Sequence, residues 1–197
     1  MIGTPVAYGL FGVSYVVFGR DTASGGLFPQ KMPLADLDGT NGFVVRGSSF
    51  QERSSSSSDS AGDVNNDGID DLLVGAPRAR RADGARSGFS YVLFGRDTIS
   101  GASFPATFRL RDIDGENGFR MEGIEGVDRT GDSVAGAGDV NGDGIDDLII
   151  GAPGACPGGL DNAGSSFVLF GRDVANCAAD IDGDGRLTLW NSRKSKR

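Results

Sequence analysis

Two nine-residue stretches hold the residues best suited to chemistry. Asp63-Val64-Asn65-Asn66-Asp67-Gly68-Ile69-Asp70-Asp71 and Asp139-Val140-Asn141-Gly142-Asp143-Gly144-Ile145-Asp146-Asp147 share the spacing D-x-N-x-D-G-x-x-D. That spacing sets side-chain oxygens at positions 1, 3, 5 and 9 of each stretch and a backbone carbonyl at position 7. The donors are Asp63, Asn65, Asp67, the Ile69 carbonyl and Asp71 in the first, and Asp139, Asn141, Asp143, the Ile145 carbonyl and Asp147 in the second. Oxygens alternating around a turn suit a hard cation with six to eight oxygen ligands, which points to Ca2+. Gly68 and Gly144, at position 6, stand where the chain must turn sharply, and a positive φ is expected there. The competing reading is an acidic, solvated hairpin. It leaves three carboxylates repelling one another with nothing to neutralise them, and the pattern occurs twice.

A helix–loop–helix calcium site would need a bidentate Glu at position 12. Val74 and Ile150 stand there instead, inside the apolar runs Leu72-Leu73-Val74-Gly75 and Leu148-Ile149-Ile150-Gly151. The expectation is therefore a strand–loop–strand site, with Asp71 and Asp147 as bidentate ligands. A third acidic stretch offers Asp180, Asp182, Asp184, the Arg186 carbonyl and Thr188 at the same positions. It resembles the first half of a dockerin or EF-hand loop, but position 12 is Asn191 and no exit helix follows. Calcium there stands against an acidic tail with frayed structure.

The elements that position these loops come from a repeat. Val16-Val17-Phe18-Gly19-Arg20-Asp21 returns as Val92-Leu93-Phe94-Gly95-Arg96-Asp97 and as Val168-Leu169-Phe170-Gly171-Arg172-Asp173, each time 76 residues on. Phe28-Pro29 and Asn41-Gly42-Phe43 return at the same step as Phe104-Pro105 and Asn117-Gly118-Phe119, and so do the acidic stretches. Each repeat holds four short β-like runs between turn signals, the number in a propeller blade. The four-residue apolar runs ending at Gly-Ala-Pro suit strands covered on both faces. Phe89–Phe94 and Ser166–Phe170 are aromatic and β-branched, as strands prefer. Gly118–Glu122 alternates like an outer strand, and Gly131–Ala135 is a candidate inner strand. No helical period is sustained anywhere, so the class is all-β. One repeat earlier, Ser54–Ser58 replaces the inner strand, and the expectation there is a degraded, poorly ordered strand. The chain holds about 2.6 repeats, too few to close a propeller, which needs roughly four to eight blades.

Composition narrows the function. There is no histidine among the 197 residues, which removes the commonest general base and transition-metal ligand. The net charge of −8 disfavours a nucleic-acid partner. No run approaches the ~20 apolar residues that cross a bilayer, so a membrane-spanning chain is not expected. The mildly apolar stretch Ala7–Phe18 lacks a basic leader and aligns with the repeats, so it reads as repeat and not as a signal core. For a secreted protein the missing leader would suggest a fragment, a missing N-terminus or an excised domain. Cys156 and Cys177 are expected to form one disulfide in an oxidising compartment; two unpaired small apolar residues are the alternative.

Gly62–Pro77 and Gly138–Pro153 resemble the FG-GAP repeat, which builds the seven-bladed propeller of integrin α subunits and recurs in bacterial surface and secreted proteins. The 76-residue period and the Phe-Gly-Arg-Asp signature look more like the bacterial branch. The resemblance implies incomplete propeller blades of four-stranded antiparallel sheets: a partial blade over 1–47, a blade over 48–123 and another over 124–175. Residues 176–197 remain as the acidic half loop and a basic tail. It also implies that the Asp/Asn loops bind calcium, and that the chain is an extracellular, non-enzymatic adhesion or ligand-binding module. The family's Phe-Gly element is weak: Thr130-Gly131 and Ser54-Ser55 stand in its place. The expected ligand is an unknown protein or glycan, and the missing blades come from a longer chain or another copy. The alternative function is a carbohydrate-binding or accessory repeat within a larger secreted hydrolase or lyase.

Overall fold

The structure, a computed structural model, describes residues 2–4, 11–21, 23, 25–49, 52–160, 163–173 and 186–187. Its strands are β1 (Ile2–Thr4), β2 (Val13–Val17), β3 (Gly42–Arg46), β4 (Ser57–Gly62), β5 (Asp71–Ala76), β6 (Phe89–Leu93), β7 (Thr107–Arg109), β8 (Gly118–Glu122), β9 (Ser133–Gly138), β10 (Asp147–Ala152), β11 (Ser165–Leu169) and β12 (Arg186–Leu187). The only helical elements among the described residues are single 3-10 turns. The chain is all-β, as the repeat pattern requires.

β4, β5, β6 and β8 pair antiparallel in that order and make one complete four-stranded blade. β9, β10 and β11 repeat its first three strands in the same order and register. β1, β2 and β3 repeat its last three. The step of 76 holds from β2 onward but not at β1. Ile2 faces Tyr15 as Val74 faces Tyr91, so Ile2-Gly3-Thr4 occupies the place of Val74-Gly75-Ala76 at a step of 72. The altered triplet and the shift hid this strand from a search at constant period.

Adjacent blades are laced together by a strand that leaves its own repeat. β7, from the long β6–β8 connection, pairs parallel to β3 of the preceding blade, and β12 pairs parallel to β8 in the same way. Arg186 and Leu187 are the described residues of the third acidic stretch, and they form this edge strand. Asp180, Asp182, Asp184, Thr188, the basic tail and Cys177 lie outside the described residues.

Period-2 alternation sends each strand's side chains to two different neighbours. Val74, Ala76, Phe89, Tyr91 and Leu93 of the middle blade pack back on Phe43 and Val45 of the first, with Phe104, Phe108 and Leu110 closing the edge. Phe43 and Phe104 stack there with ring centroids 4.3 Å apart. Leu73 and Val92 point the other way and meet Leu148, Ile150 and Val134 of the third blade. This is why Leu72-Leu73-Val74 is apolar without interruption: both faces are interior.

The serine run is not degraded. Ser57–Gly62 forms β4 and pairs with β5 along its length, and Ser54 and Ser55 are buried. Small residues are needed because inner strands of neighbouring blades crowd together: a Cβ added to Gly136 of β9 would lie 2.7 Å from the Ser60 carbonyl of β4. Ser57 Oγ also donates to the Gly131 carbonyl across the junction, at 3.0 Å. Composition alone reads such a tract as a linker; the packing makes it an inner strand.

Candidate metal centre

Each acidic loop joins the first two strands of a blade, β4 to β5 and β9 to β10. Both begin where the ladder shifts by one residue, between Ser60 and Gly62 in one pair and between Asp147 and Leu148 in the other, so the hairpin opens at the last aspartate. Gly68 and Gly144 take φ 87° and 88° as expected. A second left-handed position lies at loop position 4, Asn66 at φ 58° and Gly142 at 80°. Asn tolerates that region better than most residues, which explains an Asn–Gly exchange there.

The side chains fold inward on the loop. Asp63 Oδ1 accepts the Asp67 N–H at 3.0 Å and Oδ2 the Gly68 N–H at 2.8 Å. Asn65 Oδ1 accepts the Asp67 N–H at 3.0 Å, and Asp67 Oδ1 accepts the Ile69 N–H at 2.9 Å. The second loop repeats the set: Gly144 N–H to Asp139 at 2.8 Å, Asp143 N–H to Asn141 at 2.8 Å and Ile145 N–H to Asp143 at 2.9 Å. The Gly144 amide is the main cause holding Asp139 below the usual carboxylate range. Alternate oxygens are thus gathered on one side of a tight coil.

Asp71 and Asp147 sit deeper, both fully buried. Asp71 accepts the Val64 N–H at 3.1 Å on one oxygen and the Gly95 N–H at 2.8 Å on the other. Asp147 does the same with Val140 at 2.8 Å and Gly171 at 2.9 Å. Gly95 and Gly171 are the glycines of the repeated Phe-Gly-Arg-Asp. A side chain there would collide with the loop, since a Cβ on Gly95 would lie 2.6 Å from the Asp70 carbonyl and one on Gly171 2.3 Å from the Asp146 carbonyl. The signature was visible in the sequence; its role as a buttress of the loop was not.

Burial pushes the Asp71 carboxyl up to about 7, against the pull of its two backbone donors, and the charges of Asp67 and Asp63 push the same way. Among the described residues no three carboxylate or thiol groups converge as they stand on a point that could hold a metal ion. The residues nonetheless fit a hard cation in kind: every donor is oxygen, and the desolvated Asp71 carboxylate faces the charges of Asp67 and Asp63.

Asp146, at position 8 of the second loop and outside the donor set, has a role at the blade junction. Asp146 Oδ2 accepts the Asp63 N–H of the preceding blade at 3.0 Å, while Arg172 N–H donates to the Val64 carbonyl at 2.9 Å. The third blade thereby clamps the first loop. Next to that loop lies a cavity lined in part by Asn65, Asp67, Phe94, Arg96 and Glu116.

Comparison with known proteins agrees with this architecture. Residues 56–93 and 130–169 each match the family profile of the FG-GAP repeat, and each match spans the first three strands of a blade. Phosphatidylinositol-glycan-specific phospholipase D of Rattus norvegicus is 32% identical over 149 residues, covering 64% of this chain and 17% of that protein. Integrin alpha-5 of Xenopus laevis is 36% identical over 117 residues, covering 57% and 10%. Integrin alpha-3 of Mus musculus is 38% identical over 93 residues, covering 46% and 7%. The chain thus spans 17% or less of the length of these relatives.

Proposed function

The chain carries FG-GAP repeats, and from that premise we propose that it is a calcium-binding repeat module of a cell-surface or secreted protein, serving adhesion or ligand binding. The observation that carries the calcium reading is the duplicated loop, identical in donor spacing, backbone turn and buttressing glycine at both sites. Asp63, Asn65, Asp67, the Ile69 carbonyl and Asp71 would hold one Ca2+; Asp139, Asn141, Asp143, the Ile145 carbonyl and Asp147 would hold the other. Bound, the ion supplies the positive charge the buried Asp71 and Asp147 lack and locks the first hairpin of each blade. The chain's own part is to hold five oxygens in register at the foot of a rigid sheet, so that the opposite loops present a fixed surface.

The role is structural and not catalytic in this reading, because the repeated acids are committed to the ion and no histidine is available. Among the described residues no helix is long and apolar enough to cross a membrane. Another FG-GAP blade, from a longer chain or a second copy, is the natural cover for the front of the third blade. A second reading is favoured by the phospholipase D relatives: an accessory repeat beside a catalytic domain, as a segment of that enzyme aligns with this chain.

Thermal melting tests the calcium reading. EDTA lowers the melting temperature, millimolar calcium restores it, and magnesium does so poorly because it is too small for so many ligands. A cation bound only by the folded chain stabilises by roughly 2.7 kcal/mol per site at a hundredfold excess over its Kd. Asp71→Ala and Asp147→Ala each remove one site's share. Melting indifferent to EDTA overturns the proposal. A glycan array separates a carbohydrate-binding accessory from a protein-binding module.

A further inference from the structure

The end of the middle blade away from the acidic loops carries the opposite charge. β4 and β5 meet at the first acidic loop, so the β5–β6 connection lies at the far end. The antiparallel run of β6 and β8 brings the β8–β9 connection to that end too. The β5–β6 connection holds Arg78, Arg80, Arg81 and Arg86 against one acid, Asp83, in a chain of net charge −8. Arg78, Arg80 and Arg86 are exposed. Arg81 is engaged: its Nη2 pairs with Asp83 at 2.8 Å, and its Nη1 donates to the Ile124 carbonyl of the β8–β9 connection. Arg78 makes no side-chain hydrogen bond or ion pair among the described residues. Arg80 donates to the Gly84 carbonyl at 2.6 Å, which leaves its charge unneutralised. In the adjoining connection Arg129 pairs with Asp132 at 2.8 Å, and Glu125 is the exposed acid that faces this basic loop from outside it.

Aliphatic side chains stand beside the arginines. Ile124 is 43% exposed and Val127 63%, in the segment that Arg81 holds, and a Cβ on Gly126 would lie 3.2 Å from that of Ala85. Neither feature is needed to form the loops. One repeat on, Arg78, Arg80 and Arg81 become Gly154, Cys156 and Pro157, yet the backbone bonds persist. Gly88 N–H to Ala79 at 3.1 Å is matched by Gly164 to Ala155 at 2.9 Å, and Arg78 N–H to Glu52 at 3.1 Å by Gly154 to Asp128 at 2.9 Å. One repeat back, Ile124 and Val127 are Ser48 and Gln51. Charged and apolar side chains that the loop scaffold does not need, set side by side on one exposed end, mark an interaction surface. We propose that this end of the middle blade docks on an anionic lipid surface, with Arg78, Arg80 and Arg86 on headgroup phosphates and Ile124 and Val127 entering the acyl boundary. The guanidinium fork matches phosphate oxygens two at a time. A soluble polyanion offers the charge but no acyl layer for the aliphatic pair. The acidic loops at the far end are repelled by the same surface and orient the blade. This inference names a ligand for the binding module proposed above and rests on that reading, but not on calcium.

Co-sedimentation of the intact chain with vesicles, in calcium-containing buffer, tests the surface. The chain is expected to bind vesicles of phosphatidylglycerol with phosphatidylcholine, to ignore phosphatidylcholine alone, and to be released by high salt. Arg78→Gln with Arg80→Gln is expected to lower the partition coefficient roughly tenfold or more. Ile124→Gln with Val127→Gln is expected to weaken vesicle binding and to leave retention on immobilised heparin unchanged. All four positions are exposed, so melting temperatures close to the parent's confirm that the variants fold; Arg78→Gly, the residue of the next repeat, replaces the arginine variant if it melts early. No binding to anionic vesicles overturns the proposal. Binding that the arginine variants leave intact also overturns it, because calcium bridging at the acidic loops then carries the contact. Retention on heparin or polyglutamate without vesicle binding assigns the surface to a soluble polyanion instead and sinks the lipid assignment alone. The melting response to EDTA is read separately, so the calcium reading stands or falls by itself.

Discussion

The first acidic loop and the second have nearly the same sequence and backbone, yet one is interior and the other is surface. Val64 is 5% exposed and Val140 57%; Leu73 is fully covered and Ile149 39% exposed; Val92 is fully covered and Val168 49% exposed. Asn65 is buried, whereas Asn141 is exposed. The difference is the next blade, whose Asp146 and Arg172 backbone clamp the first loop and whose Leu148 and Ile150 cover Leu73 and Val92. A blade of this kind is therefore half a folding unit: it is finished only by the repeat that follows it. The front of the third blade presents the equivalent apolar positions half exposed, Val168 at 49% and Phe170 at 52%.

The largest effect expected from this contrast lies in the core. Leu73→Ala should destabilise by about 2–5 kcal/mol by leaving a cavity between blades, whereas its equivalent Ile149→Ala should cost well under about 1 kcal/mol. Urea unfolding of the two variants measures both, and equal losses would mean that the front of the third blade is covered in solution. Next comes pH. The Asp71 carboxyl is raised from 3.8 to about 7 in the fold, so its contribution is fully present below the unfolded value and is lost as pH rises toward 7. Metal-free protein should melt at steadily lower temperature between about pH 4 and pH 7. Asp71→Asn, which cannot ionise, should flatten that decline; an unchanged slope would show that the carboxyl is not carrying the burial. The smallest effect is at the clamp. Asp146→Ala should cost roughly 1 kcal/mol through the lost bond to the Asp63 N–H, while Asp70→Ala, the same position with its side chain exposed, should be near neutral. A double-mutant comparison of melting midpoints distinguishes the two.

Much of this was legible early because the determinants are local. A nine-residue pattern specifies its own turn: Gly68 and Gly144 need their φ whatever surrounds them, and Asp63 and Asp67 bond amides five residues away or fewer. Alternation and the apolar runs likewise announced strands with two buried faces. The serine run was misread because its fitness lies in a neighbour, the crowding of β4 against β9, that composition does not contain. β1 was missed because a shift of four residues broke the period, and only pairing with β2 revealed it.

The sequence by itself determined the repeat, the all-β class and the acid–amide spacing of the two loops, all of which can be read from residues along the chain. Tertiary structure alone decided the rest. It showed which copy of each loop is buried, that Gly95 and Gly171 buttress the aspartates, and that Asp146 clamps a neighbour where Asp70 does not. Among the described residues it also left the Ser87, Ser90 and Thr130 hydroxyls buried without a partner. These are long-range facts, and their physical cause is shared: the environment of a residue in a stack of blades is set by the blade beside it, 76 residues away.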